Sequence, residues 1–155
     1  VNQLIAHHSV VFSPAERKVW MSTSPYQLGP YVEYCLDDVF ADTSMAGPKD
    51  FSAPIEPDPF LNTRAYSDFK KYKHLALKAK SLVAEENHDA DQIISPLELI
   101  NLNPEFFEAY SLAAEISLVS GKTEDALRYF NTALTKEIPN LWDKEKILEK
   151  IRDLN

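Results

Sequence analysis

The spacing of apolar residues changes partway along this chain. From Ile5 to Phe12 and from Lys18 to Thr23, β-branched and aromatic residues flank Ser13–Pro14–Ala15–Glu16, a polar run with proline where turns favour it. The pattern predicts a β-hairpin. A Gly29–Pro30 turn leads into Tyr31–Leu36, where Tyr31, Glu33 and Cys35 alternate with Val32, Tyr34 and Leu36 at the two-residue period of a half-buried strand. A lone hairpin is marginal in water, so these strands require a larger sheet or a helical layer over their apolar face.

After residue 62 the period becomes three to four. Asn62 is placed to cap a helix over 63–86 whose stripe is Ala65, Phe69, Tyr72, Ala76, Ala79 and Val83. Lys70, Lys71, Lys73, Lys78 and Lys80 decorate its flanks. A shorter helix over 91–102, kinked or started at Pro96, carries Leu97, Ile100 and Leu102. Asn103–Pro139 then reads as two amphipathic helices. Asn103 caps the first with Pro104 as its opening residue, Gly121 supplies the left-handed turn between them, and Pro139 stops the second. Ala109, Ala113, Ala114, Ala126 and Ala133 fall where the helices must touch, with Tyr110, Tyr129 and Phe130 as knobs. Asn140 caps a last helix predicted to turn Trp142, Leu148, Ile151 and Leu154 inward and Asp143, Lys144, Glu145, Lys146, Glu149 and Lys150 to water.

Residues 41–62 hold prolines and glycine without periodicity and read as an extended connector, with Phe51, Ile55, Phe60 and Leu61 as anchors. The organisation expected is therefore a β-strand segment over 1–40, a proline-rich connector over 41–62 and a helical domain over 63–155. The fold class is α+β: a β-hairpin with a third short strand, then an all-α stack of helical hairpins closed by a C-terminal capping helix.

The spacing in Asn103–Pro139 resembles a tetratricopeptide repeat, whose period is about 34 residues. Gly121, Ala126, Phe130, Ala133 and Leu134 stand at the family's marked positions, Pro139 falls one place late, and Tyr110 stands where tryptophan is common. LELINLNPEF resembles the end of a preceding repeat, making 63–102 a degenerate first one. The resemblance implies a scaffold that holds partners and says nothing of chemistry. In such repeats the first helix of each pair lines the inner face, which here presents Glu108, Ser111, Glu115 and Leu118 as candidate partner-binding residues for an extended peptide or for the chain's own upstream domain.

Charge narrows the classes further. The formal net charge is −8 with no dense basic run, which disfavours nonspecific nucleic-acid binding. No apolar run approaches the ~20 residues of a membrane span, and no signal peptide is visible. The single Cys35 rules out an intramolecular disulfide and leaves the compartment undetermined. A start at Val1, without methionine, is expected of a fragment or processed product.

Candidate chemistry within the chain is sparse. Cys35, mid-strand among tyrosines, reads as a small buried hydrophobe before it reads as a nucleophile. His7 and His8 are adjacent on a strand and point to opposite faces, so they do not converge on one metal ion. Asp37, Asp38 and Asp42 lack the glycine and terminal glutamate of a calcium loop. Asp68, Glu85 and Glu86 interrupt the lysines of the long helix, which argues against a membrane-surface helix. No phosphate loop, dinucleotide-binding glycine motif or Ser/His/Asp order occurs. The expectation is no catalytic residue, no metal site and no cofactor within these residues.

A second resemblance lies in the strands. HHSVVFSPAERKVWMS followed by SPYQLGPYVEY is similar to the C-terminal strands of N-terminal-nucleophile (Ntn) hydrolases of the acyl-CoA:6-aminopenicillanic acid acyltransferase and choloylglycine hydrolase types. The matching residues are His8, Ser9, Val10, Val11, Phe12, Pro14, Trp20, Ser22, Gly29, Tyr31, Val32 and Tyr34, within about 30 residues that carry no catalytic motif. The family's nucleophile is a cysteine exposed as a new N-terminus by self-cleavage, with its own α-amine as base. Val1 has no side-chain nucleophile, so the resemblance implies an upstream catalytic domain or subunit. This chain would be the C-terminal, non-catalytic part of an amide (C–N) hydrolase or acyltransferase. The alternative is a non-enzymatic protein-interaction module of the tetratricopeptide class. Acyl substrate, localisation and oligomeric state are left open.

Overall fold

Three antiparallel strands followed by helices make up the computed structural model, an α+β arrangement that describes residues 7–41 and 55–154. Ile5, Asp42 and Phe51, which figured in the predicted strand, acidic loop and connector, lie outside the described residues. The chain divides into two units, Val1–Thr63 and Arg64–Asn155.

In the first unit β1 (Val10–Ser13), β2 (Lys18–Ser22) and β3 (Tyr31–Cys35) form a sheet in the order β1-β2-β3. The predicted hairpin turn is present, and it depends on a residue that the pattern did not single out. Arg17 takes the left-handed conformation at φ 53°, and its amide donates to the Pro14 carbonyl at 3.2 Å. The register sets Val11 opposite Trp20 and Trp20 opposite Glu33. On that face Trp20 Nε1 donates to Glu33 Oε2 at 3.0 Å, and Lys18 Nζ reaches Glu33 Oε1 at 2.9 Å. Val10, Phe12, Val19, Met21, Val32 and Tyr34 occupy the other face by alternation, and none of them is buried.

Leu36 was expected to end the third strand. It instead opens a short helix, α1 (Leu36–Phe40), with Asp37 and Asp38 in its first turn, where negative charge suits the exposed amides. The end of the predicted connector packs with the strands. The Tyr31 amide donates to the Ile55 carbonyl at 3.1 Å, and the Asp58 amide to the Leu28 carbonyl at 2.8 Å. Asp58 then caps a 3-10 turn over Pro59–Asn62, so Asn62 closes that turn and does not cap the long helix.

The second unit contains α2 (Arg64–Ala84), α3 (Ala90–Ile93), α4 (Pro96–Leu102), α5 (Phe107–Val119), α6 (Thr123–Ala133) and α7 (Leu141–Asp153). Tyr72, Ala76 and Ala79 of the predicted α2 stripe are buried, but Ala65 is exposed and Leu82 is buried instead. The predicted 91–102 helix is two pieces, broken between Ile93 and Pro96, and its inward residues are Ile94, Leu99 and Ile100, with Leu97 exposed.

Helix α5 lies between two apolar clusters. Ala109, Leu112 and Ile116 meet Tyr72, Ala76, Ala79, Leu82, Ile94 and Leu99 on one side. Phe107 and Ala114 meet Ala126, Phe130, Ala133 and Ile147 on the other. Its alanines let neighbouring helices approach closely, and its buried Ser117 is satisfied by donating to the Ala113 carbonyl at 2.8 Å. Gly121, at φ 76°, ends the helix as predicted. Its amide bonds Leu118 O at 3.0 Å and the Lys122 amide bonds Ser117 O at 2.8 Å, the paired geometry of a glycine C-terminal cap. A polar clasp holds this turn: Asp91 pairs with Lys122, the Asp91 amide donates to Ser120 Oγ, and His88 Nδ1 lies 2.8 Å from Val119 O.

Two boundaries, the start of α5 and the end of α6, differ from expectation, and so does the inward face of α7. Helix α5 begins at Phe107, because Asn103–Glu105 form a turn whose Pro104 carbonyl accepts the Tyr110 hydroxyl. Helix α6 ends at Ala133, well before Pro139, where Thr135 Oγ1 bonds the Thr132 carbonyl and closes the last turn. Asn140 does cap α7, accepting the Trp142 amide at 3.0 Å. The α7 inward face is Ile147, 3% exposed, with Ile151 and Leu154 beside it; Trp142 and Leu148 point outward. The four-residue step from Ile147 to Ile151 keeps those two on one face, and Leu148 lies about 100° away.

This correction has a measurable consequence. Ile147→Ala should lower unfolding free energy by about 2–4 kcal/mol in urea denaturation, whereas Leu148→Ala in dilute solution should change it by no more than about 0.5 kcal/mol. Equal effects would mean that α7 is rotated about its axis.

Candidate functional site

A cleft of about 430 Å³ opens between α2, α5 and α7. Helix α5 contributes Glu108, Ser111, Leu112 and Glu115, which at i, i+3, i+4 and i+7 share one face. Helix α7 answers with Asp143, Lys146, Ile147 and Lys150 at the same spacing. Phe107, Leu112, Phe130 and Ile147 supply the apolar part, and Lys80 of α2 closes one side. The helices pair this way because Phe107 and Ala114 of α5 and Ile147 of α7 belong to one apolar cluster. Their neighbours one turn away are left facing the opening.

The cleft carries both signs of charge. Lys80 Nζ lies 2.7 Å from Glu108 Oε1 in a partly exposed ion pair. Burial pushes the Glu115 carboxyl above the usual glutamate range, against the pull of Lys150, Lys146 and Lys80, with Glu108 adding to the rise. Near Glu108, the Tyr72 hydroxyl is buried without a hydrogen-bond partner. Burial raises its pKa first and the Glu108 charge second; no donor–acceptor geometry closes a bond between them. Such a lining can hold a ligand by charge and apolar contact together. It presents no nucleophile beside a base.

Of the four partner-binding candidates read from the sequence, the structure brings Glu108, Ser111 and Glu115 together on this cleft. Leu118 does not join them. One turn from the Gly121 reversal, it is taken into the packing of the α5–α6–α7 cluster. Lys80, Asp143, Lys146 and Lys150 were assigned to water-facing flanks. The spacing of Asp143, Lys146 and Lys150 around Ile147 was the available signal, and it was masked by choosing Leu148 as the inward residue.

The remaining candidates stay apart. Cys35 is a free, half-buried thiol at the end of β3, opposite Lys18. His7 and His8 are exposed, and Asp37 pairs with Arg17 at 3.0 Å. Among the described residues no group of three or more His, Cys, Asp or Glu side chains is placed to hold a metal ion. No described helix is long and apolar enough to cross a membrane. No protein-family model, curated protein or solved structure matches this chain.

Glu115 gives the cleft a pH signature. Its folded-state pKa lies above the unfolded value, so the unfolded chain loses this proton first as pH rises. The Glu115 contribution to stability is full below the ordinary glutamate range and declines as pH climbs through it to the raised folded value. Glu115→Gln should remove that decline and raise the urea midpoint at neutral pH. The check is the difference between the two proteins' midpoints from about pH 4 to about pH 7, which cancels the other carboxyls. A difference that stays constant over this range counts against a desolvated Glu115.

Proposed function

We propose that this chain is the C-terminal, non-catalytic portion of an Ntn-type amide (C–N) hydrolase or acyltransferase, giving the last strands to a sheet whose nucleophile lies outside residues 1–155. One observation carries the reading. An entire apolar sheet face, Val10, Phe12, Val19, Met21, Val32 and Tyr34, has no buried member, and Phe12 is 68% exposed. At about 25 cal/mol per Å² of apolar surface, leaving such a face wet forgoes several kcal/mol, more than a three-stranded sheet can spare. On the opposite face Trp20, Glu33 and Lys18 are joined in a polar network, with Val11 beside them. β1 is moreover an edge of the sheet as described, open to a further strand. The strand sequence supports the same reading through its similarity to the final strands of the acyltransferase and choloylglycine hydrolase types.

Intact-mass analysis of the native polypeptide that carries these residues tests the proposal. The expected result is a cysteine freed as an N-terminus on the same or a co-purifying chain, whose alkylation abolishes amide acyl transfer. A native protein with no such cysteine ends this reading.

A second reading, a tetratricopeptide-type module with no catalytic role, is favoured by the cleft alone. Its peptide ligand would lie against Glu108, Ser111 and Glu115 on one wall and Lys146 and Lys150 on the other. A peptide array probed with the chain should then yield binders that weaken at least about tenfold on Lys146→Glu/Lys150→Glu. An array without binders, or binders indifferent to that change, would exclude the module.

A further inference from the structure

Helix α7 presents a second apolar strip, on the side away from the core. Leu141, Trp142 and Leu148 are 77, 65 and 41% exposed. A groove of about 660 Å³ runs past Trp142, Leu148 and Ile151, with Glu145 and Arg152 on its walls. Leu141, Glu145, Leu148 and Arg152 fall at i, i+4, i+7 and i+11, one stripe down the helix. The core of the unit takes Ile147 from this helix and leaves the strip over.

Two charges of opposite sign, Glu145 and Arg152, lie on the stripe itself, with Lys146 and Glu149 on its flanks. Glu145 and Arg152 are about 10 Å apart along the axis at ~1.5 Å per residue, and Leu148 lies near their midpoint. Neither has an ion-pair partner among the described residues. A two-fold axis beside Leu148 lays α7 of a second copy antiparallel on the first, and each Glu145 then faces Arg152 of the other copy. A parallel alignment instead opposes Glu145 to Glu145 and Arg152 to Arg152, which repel. A partner of one charge sign would satisfy only half of the strip.

We propose that this strip is an isologous interface between two copies of the chain, centred on Leu148, with Trp142 packing at each end and two Glu145–Arg152 pairs fixing the register. The strip adjoins the cleft, with Lys146 lining both, and its charge pairs use neither Glu108 nor Glu115. One helix per copy makes it small, so the association is weak and depends on concentration.

Sedimentation velocity over a concentration series of the full chain should resolve a monomer–dimer equilibrium. Leu148→Glu should weaken it at least about tenfold without altering the circular dichroism spectrum, since Leu148 lies outside the core. Glu145→Arg should weaken it also, and Glu145→Arg/Arg152→Glu should restore it. Phe12→Lys, which spoils the apolar sheet face, should leave this equilibrium in place. A monomer at every concentration overturns the proposal. So does a dimer indifferent to Leu148→Glu, a double swap that fails to restore association, or an association abolished by Phe12→Lys.

Discussion

Burial of α5 from two sides at once is the constraint on which the helical unit depends. Ala109, Ala113, Ala114 and Ser117 are buried, and Phe107, Leu112 and Ile116 fill the space they leave. A helix so placed cannot be amphipathic in the ordinary sense, and only a narrow polar strip survives on it. Glu108, Ser111 and Glu115 are that strip. The cleft is therefore a consequence of packing: α2 and α7 each cover part of α5, and what neither covers becomes an opening. Larger residues at the alanine positions would force the helices apart at a cost of about 1–3 kcal/mol each and would open the cleft along with the core.

Local chemistry made much of this visible in the sequence. Gly121 had to be a left-handed turn because the amphipathic pattern stops and restarts around it, and Asn140 had to cap because an apolar period follows it. Burial was harder to read where a helix offers two apolar stripes. Helix α7 has Ile147 and Ile151 on one side and Leu141, Trp142 and Leu148 on the other, and the expected inward set of Trp142, Leu148, Ile151 and Leu154 mixed the two. What decides is which stripe meets Phe107 and Phe130, a long-range fact that spacing within α7 does not contain. Boundaries failed for a different reason. Pro104 and Pro139 were read as the limits of helices, but side-chain bonds from Tyr110 and Thr135 close the neighbouring turns differently. Left-handed Arg17 and Glu86 were equally invisible, since neither residue type announces that conformation.

The two units stand differently with respect to their own apolar surface. The helical unit buries two clusters and satisfies its turn at Gly121 with backbone bonds and an Asp91–Lys122 pair. The sheet buries Leu28 and Ser22 and leaves its strand residues half-wet or exposed. One face of it nonetheless carries a polar network. Glu33 accepts from Trp20 and pairs with Lys18 across the β2–β3 boundary, an arrangement that specifies register.

That asymmetry bears on what kind of protein a sheet of this sort belongs to. An exposed two-sided sheet would alternate polar residues on both faces, because water must be tolerated on each. Here Val10, Phe12, Val19, Met21, Val32 and Tyr34 hold one face without a charged residue, while Lys18, Glu33 and Ser22 sit on the other beside Val11, Trp20, Tyr31 and Cys35. A pattern this one-sided has a physical reason only if the apolar face is covered in the working protein. The cover must also come at the level of the whole face, since a single side chain laid over Phe12 would leave Met21 and Val32 wet. A second layer of structure meets that requirement.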